Sequence, residues 1–137
     1  MAANTSPIFG LISAAGTPAT IVAADTTSTK TIFTADATNG SILTGIAVTS
    51  DDTADKALNV YLTLSGTDYL VGCVPIPLSS GTVTTVAAVN LLSLSYLPWL
   101  NGDGTWALSP GAIVKVAALA TVTAAKTITI AAVGMNY

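Results

Sequence analysis

The chain has 137 residues, four lysines, seven aspartates and a net charge of -3, and arginine, glutamate and histidine do not occur in it. Charged residues are 8% of the sequence against a usual ~25%, while hydrophobic residues are 51%, so the surface is neutral and rich in Thr, Ser and Ala. No basic stripe exists to neutralise phosphates, which argues against nucleic acid and against an anionic membrane surface as partners.

A chain of this length typically buries roughly two-thirds of its unfolded surface, enough for one domain without metal or disulfide. Residues 83–100 approach transmembrane length, but Asn90, Ser93, Ser95 and Pro98 interrupt them and no Lys or Arg flanks them. The first sixteen residues, "MAANTSPIFGLISAAG", lack the basic start of a secretory signal, so export is not expected. They are read as an N-terminal arm or edge strand (1–16) ahead of a sandwich domain (17–137). Ile8, Phe9, Leu11 and Ile12 are its candidate contacts with a neighbouring subunit or a partner.

In chain order, period-two alternation and β-branched residues predict strands at "ATIVAA" (19–24) and "KTIFTA" (30–35). Asn39-Gly40 then marks a tight turn into "SILTGIAVTS" (41–50), and the pair reads as a hairpin. The polar loop "DDTADK" leads into "ALNVYLTLSG", where Leu58, Val60, Leu62 and Leu64 are expected on one face and Asn59, Tyr61 and Thr63 on the other. "DYLVGCVPIPL" continues as a strand until Pro75 and Pro77, which cannot donate to a ladder and place it at an edge or an exit. "GTVTTVAAV" reads as another strand and "NLLSLSYLPWL" as irregular. Residues 105–122 and "KTITIAAVG" close the chain as strands, with Ser109-Pro110-Gly111 turning between "TWAL" and "AIVKV". Seven to nine short strands at near-regular spacing predict an all-β, single-domain antiparallel sandwich or barrel.

Catalytic equipment is missing from this pattern: no histidine, no G-x-S-x-G elbow, and one clustered set of carboxylates, Asp51, Asp52 and Asp55, that reads as a solvated turn. "NGDGT" (101–105) has one carboxylate and no closing glutamate, so it is a turn and not a calcium loop. The expectation is no enzyme activity, no metal and no cofactor. Cys73, the only cysteine, sits in apolar "LVGCVPIP" and reads as a small buried hydrophobe. Trp99 and Trp106 read as core or subunit contacts, with an aromatic platform for sugar as the alternative.

From residue 90 onward the chain resembles the C-terminal half of a group of small virion proteins of tailed bacteriophages. The residues that carry the likeness are Leu97-Pro98, the Asn101-Gly102 turn, Trp106 to Gly111, Ile113 to Val116, and the final strand from Thr127 to Tyr137. "NTSPIF" and "FTADATNGSIL" agree more loosely, and Met135-Asn136 departs from the Gly-Asp of the pattern. The resemblance implies a jelly-roll-like sandwich acting as a decoration or cement protein on the outer capsid surface. It further implies the major capsid protein as partner, a homo-oligomer with trimeric symmetry, synthesis in the host cytoplasm and residence in the virion. A phage tail or fibre module, a carbohydrate-binding adhesin and a hydrolase are the competing readings.

Overall fold

The computed structural model describes residues 12–15 by their backbone and residues 18–137 in full. Ten strands are present among the described residues: β1 (Ile12–Ala15), β2 (Ala19–Val22), β3 (Lys30–Thr34), β4 (Ser41–Ser50), β5 (Lys56–Leu64), β6 (Thr67–Ile76), β7 (Val89–Asn90), β8 (Trp106–Leu108), β9 (Ile113–Ala118) and β10 (Thr127–Asn136). One short 3-10 turn, Ala23–Asp25, is the only helical element among them. The fold is therefore an all-β sandwich of two antiparallel sheets.

In the first sheet β10 and β4 run side by side through the centre, with β1 and β2 end to end along β10 and with β7 and β8 end to end along β4. The second sheet has the order β3-β9-β5-β6. Pairing is nested. At the centre β5 and β6 form a hairpin, around it β4 meets β7 and β8, then β3 meets β9, and outermost β1 and β2 meet β10. That winding of a doubled chain into two sheets is a jelly roll.

The core follows from alternation on the inner faces. Leu43, Ile46 and Val48 of β4 and Ile128 and Ile130 of β10 meet Leu58 and Val60 of β5 and Val114 and Val116 of β9, all fully buried. Each such side chain stabilises the fold by about 1.5–3 kcal/mol relative to exposure.

Several sequence expectations need correction. β3 and β4 do not form a hairpin: β3 pairs with β9 in one sheet and β4 with β10 in the other. Of Asn39 and Gly40 only Gly40 has positive φ, at 81°, so the two-residue hairpin turn that needs both is not formed. The carboxylate of Asp36 instead accepts the Thr38 and Asn39 N–H groups at 3.0 and 2.8 Å and turns the chain across to the other sheet. "GTVTTVAAV" is mostly turn. Gly81, at φ 69°, packs where a Cβ would press on Thr49 and Ala88, and its N–H reaches the Val86 carbonyl, so only a bridge at Val83 and the short β7 remain.

The clean alternation of β5 also fails at its end. Thr63 is buried and Leu64 exposed, while Leu62 is only partly covered. Cys73 is exposed rather than buried, because the inward positions of β6 there are Val74 and Ile76. It should therefore react with a thiol reagent such as dithionitrobenzoate in the native protein without unfolding. Protection until denaturant is added would contradict its place on the outward face of β6. Pro75 does lie in the outermost strand of its sheet, as its missing donor requires.

Of the arm, the stretch Ile12–Ala15 is an edge strand, with Ile12 opposite Asn136 and Ala15 opposite Val133. Ile8, Phe9 and Leu11 lie outside the described residues. The loop from 91 to 105 is irregular as expected, with "NGDGT" closed as a turn by Gly104 N–H on the Asn101 carbonyl and Asn101 N–H on the Thr105 carbonyl.

Candidate functional site: an aromatic cleft between the sheet edges

The long link between β7 and β8 is fastened by leucines. Leu91 and Leu97 are fully buried and Leu92 and Leu100 nearly so. Short-range bonds then shape the backbone between them, from Leu97 N–H to the Ser93 carbonyl at 2.7 Å and from Leu100 N–H to the Leu97 carbonyl at 3.2 Å. Leu97 fills the space that a side chain on Gly72 would occupy, so the absence of a Cβ on β6 is what lets the link close over that edge.

Next to Gly72 the pairing of β5 with β6 slips: Val60 faces Gly72, Tyr61 faces Leu70, and Val71 is the extra residue of a bulge. Its carbonyl accepts the indole Nε1–H of Trp99 at 3.2 Å. Trp106, carried by β8, is buried, and its ring meets that of Trp99 edge to face, with centroids 4.6 Å apart and planes inclined at 67°. Trp99 keeps 44% of its surface exposed. The sequence-predicted contacts Trp99 and Trp106 are thus brought together, while Ile12 lies on the opposite lateral edge of the sandwich, beyond β10.

Between the indoles and the side chains of Leu62 and Val71 lies a cleft of about 320 Å³. None of its four lining residues is charged, and of the two indole donors that of Trp99 is spent on Val71. A smaller hollow of about 270 Å³ lies on the first sheet, lined by Gly45, Ala47, Ala131 and Val133 and by Asn90 of β7. Both favour apolar surface over polar ligands.

The carboxylates serve the scaffold. Asp52 is not solvated but fully buried. Its Oδ1 accepts the Thr123 hydroxyl at 2.7 Å and Ala54 N–H at 3.0 Å, and its Oδ2 accepts Thr123 N–H at 2.9 Å, with Lys56 Nζ 3.9 Å away. Burial by itself would raise its pKa, but the Thr123 and Ala54 donors and the Lys56 charge outweigh it and hold the pKa below the ordinary carboxylate value. Asp51 accepts Thr127 N–H at 2.7 Å and Asp55 accepts Leu78 N–H at 2.9 Å, so the acidic loop pins three neighbouring segments. The order of the sequence hid this, because the partners lie far along the chain.

Asp103 is held by Thr105 within its turn, and its pKa is lowered first by the Thr105 hydroxyl and then by the Thr105 N–H. Where the virion pattern has an aspartate, Asn136 accepts the Ser41 hydroxyl at 2.6 Å, so the amide takes up a structural bond. No group of three carboxylate or cysteine side chains among the described residues is placed to hold a metal ion. No protein-family model, curated protein or solved structure matches the chain.

Proposed function

We propose that this chain is a structural protein of a phage virion, a homo-oligomeric decoration or cement protein that seats on the outer capsid surface, and that it is not an enzyme. The observation that carries the reading is the set of large apolar side chains left outside on both sheets. Tyr69 and Leu70 on β6 and Val133 and Met135 on β10 are exposed on a chain whose charged residues are 8%. Exposed apolar surface with few charges favours burial against another protein. The resemblance of residues 97–137 to small phage virion proteins supplies the kind of partner.

Mixing the purified protein with capsids that lack it should give saturable cosedimentation and a higher temperature of shell disruption. Capsids that neither retain the protein nor gain stability would overturn the proposal. A second reading, a carbohydrate-binding module, draws on the exposed face of Trp99 beside the cleft, since aromatic faces stack on sugars. It requires glycan binding that Trp99→Ala abolishes. The cleft's lining side chains carry two indole N–H groups and no other polar atom, one of them spent on Val71, and that scarcity weighs against it.

A further inference from the structure

We propose that the cleft of Leu62, Val71, Trp99 and Trp106 is the socket by which one copy of this chain holds another, and that its occupant is the segment "PIFGL" (7–11) of the neighbouring copy, with Phe9 as the anchor. This rests on the self-association in the reading above and is independent of the capsid.

The lining names the chemistry. Two aliphatic side chains and two indoles, whose only polar atoms are the Trp99 N–H spent on Val71 and the Trp106 N–H, reward an apolar guest over a polar one. A volume of about 320 Å³ is at the small end for ligand pockets, which run from about 300 to 1,000 Å³, and suits one or two side chains. Trp99 is already held by its bond to Val71, so little ordering is left for binding to impose. Its open face suits an aromatic ring. Ile8, Phe9 and Leu11 form a concentrated apolar group immediately ahead of β1.

Reach and chain direction together favour a neighbour's segment. Ile12 lies opposite Asn136, Asn136 opposite Ser41, and Ser41 opposite Leu108, so three strand spacings separate Ile12 from β8, about 14 Å in all. Trp106 lies two residues further along β8, about 7 Å, which puts it roughly 16 Å from Ile12 in a straight line through the packed sheet. Phe9 precedes Ile12 by three residues and can stand at most about 10 Å from it, and Ile8 about 14 Å. Any real path must also go around the end of the sandwich. Trp106 is level with Ala14 through Leu43 and Gly134, so Ile12 is the end of β1 farther from the cleft and a chain's own segment would have to reverse to reach it, whereas that of a second copy is under no such limit.

The test uses the full chain and its only two tryptophans, both in the cleft. Sedimentation velocity should show association as concentration rises, with a parallel blue shift of tryptophan emission. Phe9→Asp should keep the native circular dichroism and weaken association at least about tenfold, the loss expected for a central aromatic anchor. A synthetic peptide of residues 4–12 should bind the Phe9→Asp protein and shift its emission, and should fail to bind Trp99→Ala.

If Phe9→Asp associates as tightly as the unaltered chain, or if the peptide binds Trp99→Ala equally well, the socket is refuted while self-association stands. A chain that remains monomeric with constant emission refutes both. Emission that differs between the unaltered chain and Phe9→Asp at a dilution where both are monomers would mean that the segment folds back on its own cleft, and overturns the exchange between copies.

Discussion

Replacing Asp52 by alanine is expected to cost about 3 kcal/mol or more and to lower Tm by roughly 10 °C or more, the largest loss of any single polar substitution in this protein. The carboxylate is fully buried and is the acceptor for the Thr123 N–H and hydroxyl and for Ala54 N–H, and it lies 3.9 Å from the Lys56 ammonium. Alanine leaves those donors facing a gap, and a buried unsatisfied donor costs about 1–3 kcal/mol. Asp52→Asn keeps one acceptor oxygen and should lie between the two.

The same residue gives an acid limb to stability. Its folded pKa is below its unfolded value of about 3.9, so its contribution is complete above that value and is lost as pH falls through the folded pKa. Thermal melts of the unaltered chain should fall in Tm below about pH 4, and Asp52→Ala should show a shallower fall over the same range. Equal slopes would mean that the acid limb comes from other groups.

Gly134→Ala is expected to destabilise by about 3 kcal/mol or more although it adds one methyl group. Gly134 sits where the β10–β4 register slips, with Val133 opposite Gly45, Gly134 opposite Leu43, and Thr44 left over. A Cβ there would fall well inside contact distance of the Ile42 carbonyl oxygen, which is backbone in a paired strand and has no rotamer to change. Gly66 provides the contrast. It has φ 80° with open space around it, so Gly66→Ala should cost only the left-handed backbone penalty of about 1–2 kcal/mol. Urea denaturation of the two variants compares them directly, and similar midpoints would remove the bulge argument.

These two sites mark the limits of what the sequence reveals. Alternation located β4, β5 and β10 and put Leu58 and Val60 of β5 on one face, which is the buried one, because a strand with one buried face must repeat every two residues. It carries no record of the partner, and the nested pairing had to come from the structure. The turn that stood out in sequence, Asn39-Gly40, crosses between sheets. The true hairpin turn is Ser65-Gly66, where both residues have positive φ, at 51 and 80°, as a two-residue hairpin demands.

Apolar runs also concealed direction. "LVGCVPIP" gave no hint that Cys73 faces outward, since the residues on both sides of it are hydrophobic whichever face they take. Asp52 looked like turn chemistry because its main partner, Thr123, is 71 residues away. The cleft was half legible. The polar stretch around residues 101–105 was read as a reversal leading into a strand at Trp106, but the meeting of Trp99 with Val71 depends on a bulge that leaves no mark in the sequence.

The nested winding also orders the making of the protein in time. Only β5 and β6 can close locally, while every other strand waits for a partner on the far side of that hairpin, out to Ile12 opposite Asn136. Closing such distant pairs costs chain entropy before contacts repay it, so folding belongs in the slow range of small β domains, milliseconds to seconds. During synthesis the first sheet lacks its centre until β10 emerges, because β1, β2 and β4 all pair with that one strand. A nascent chain halted before residue 127 should therefore hold the second sheet and β4 with β7 and β8, leaving the β10-side edge of β4 unpaired and open to chaperones.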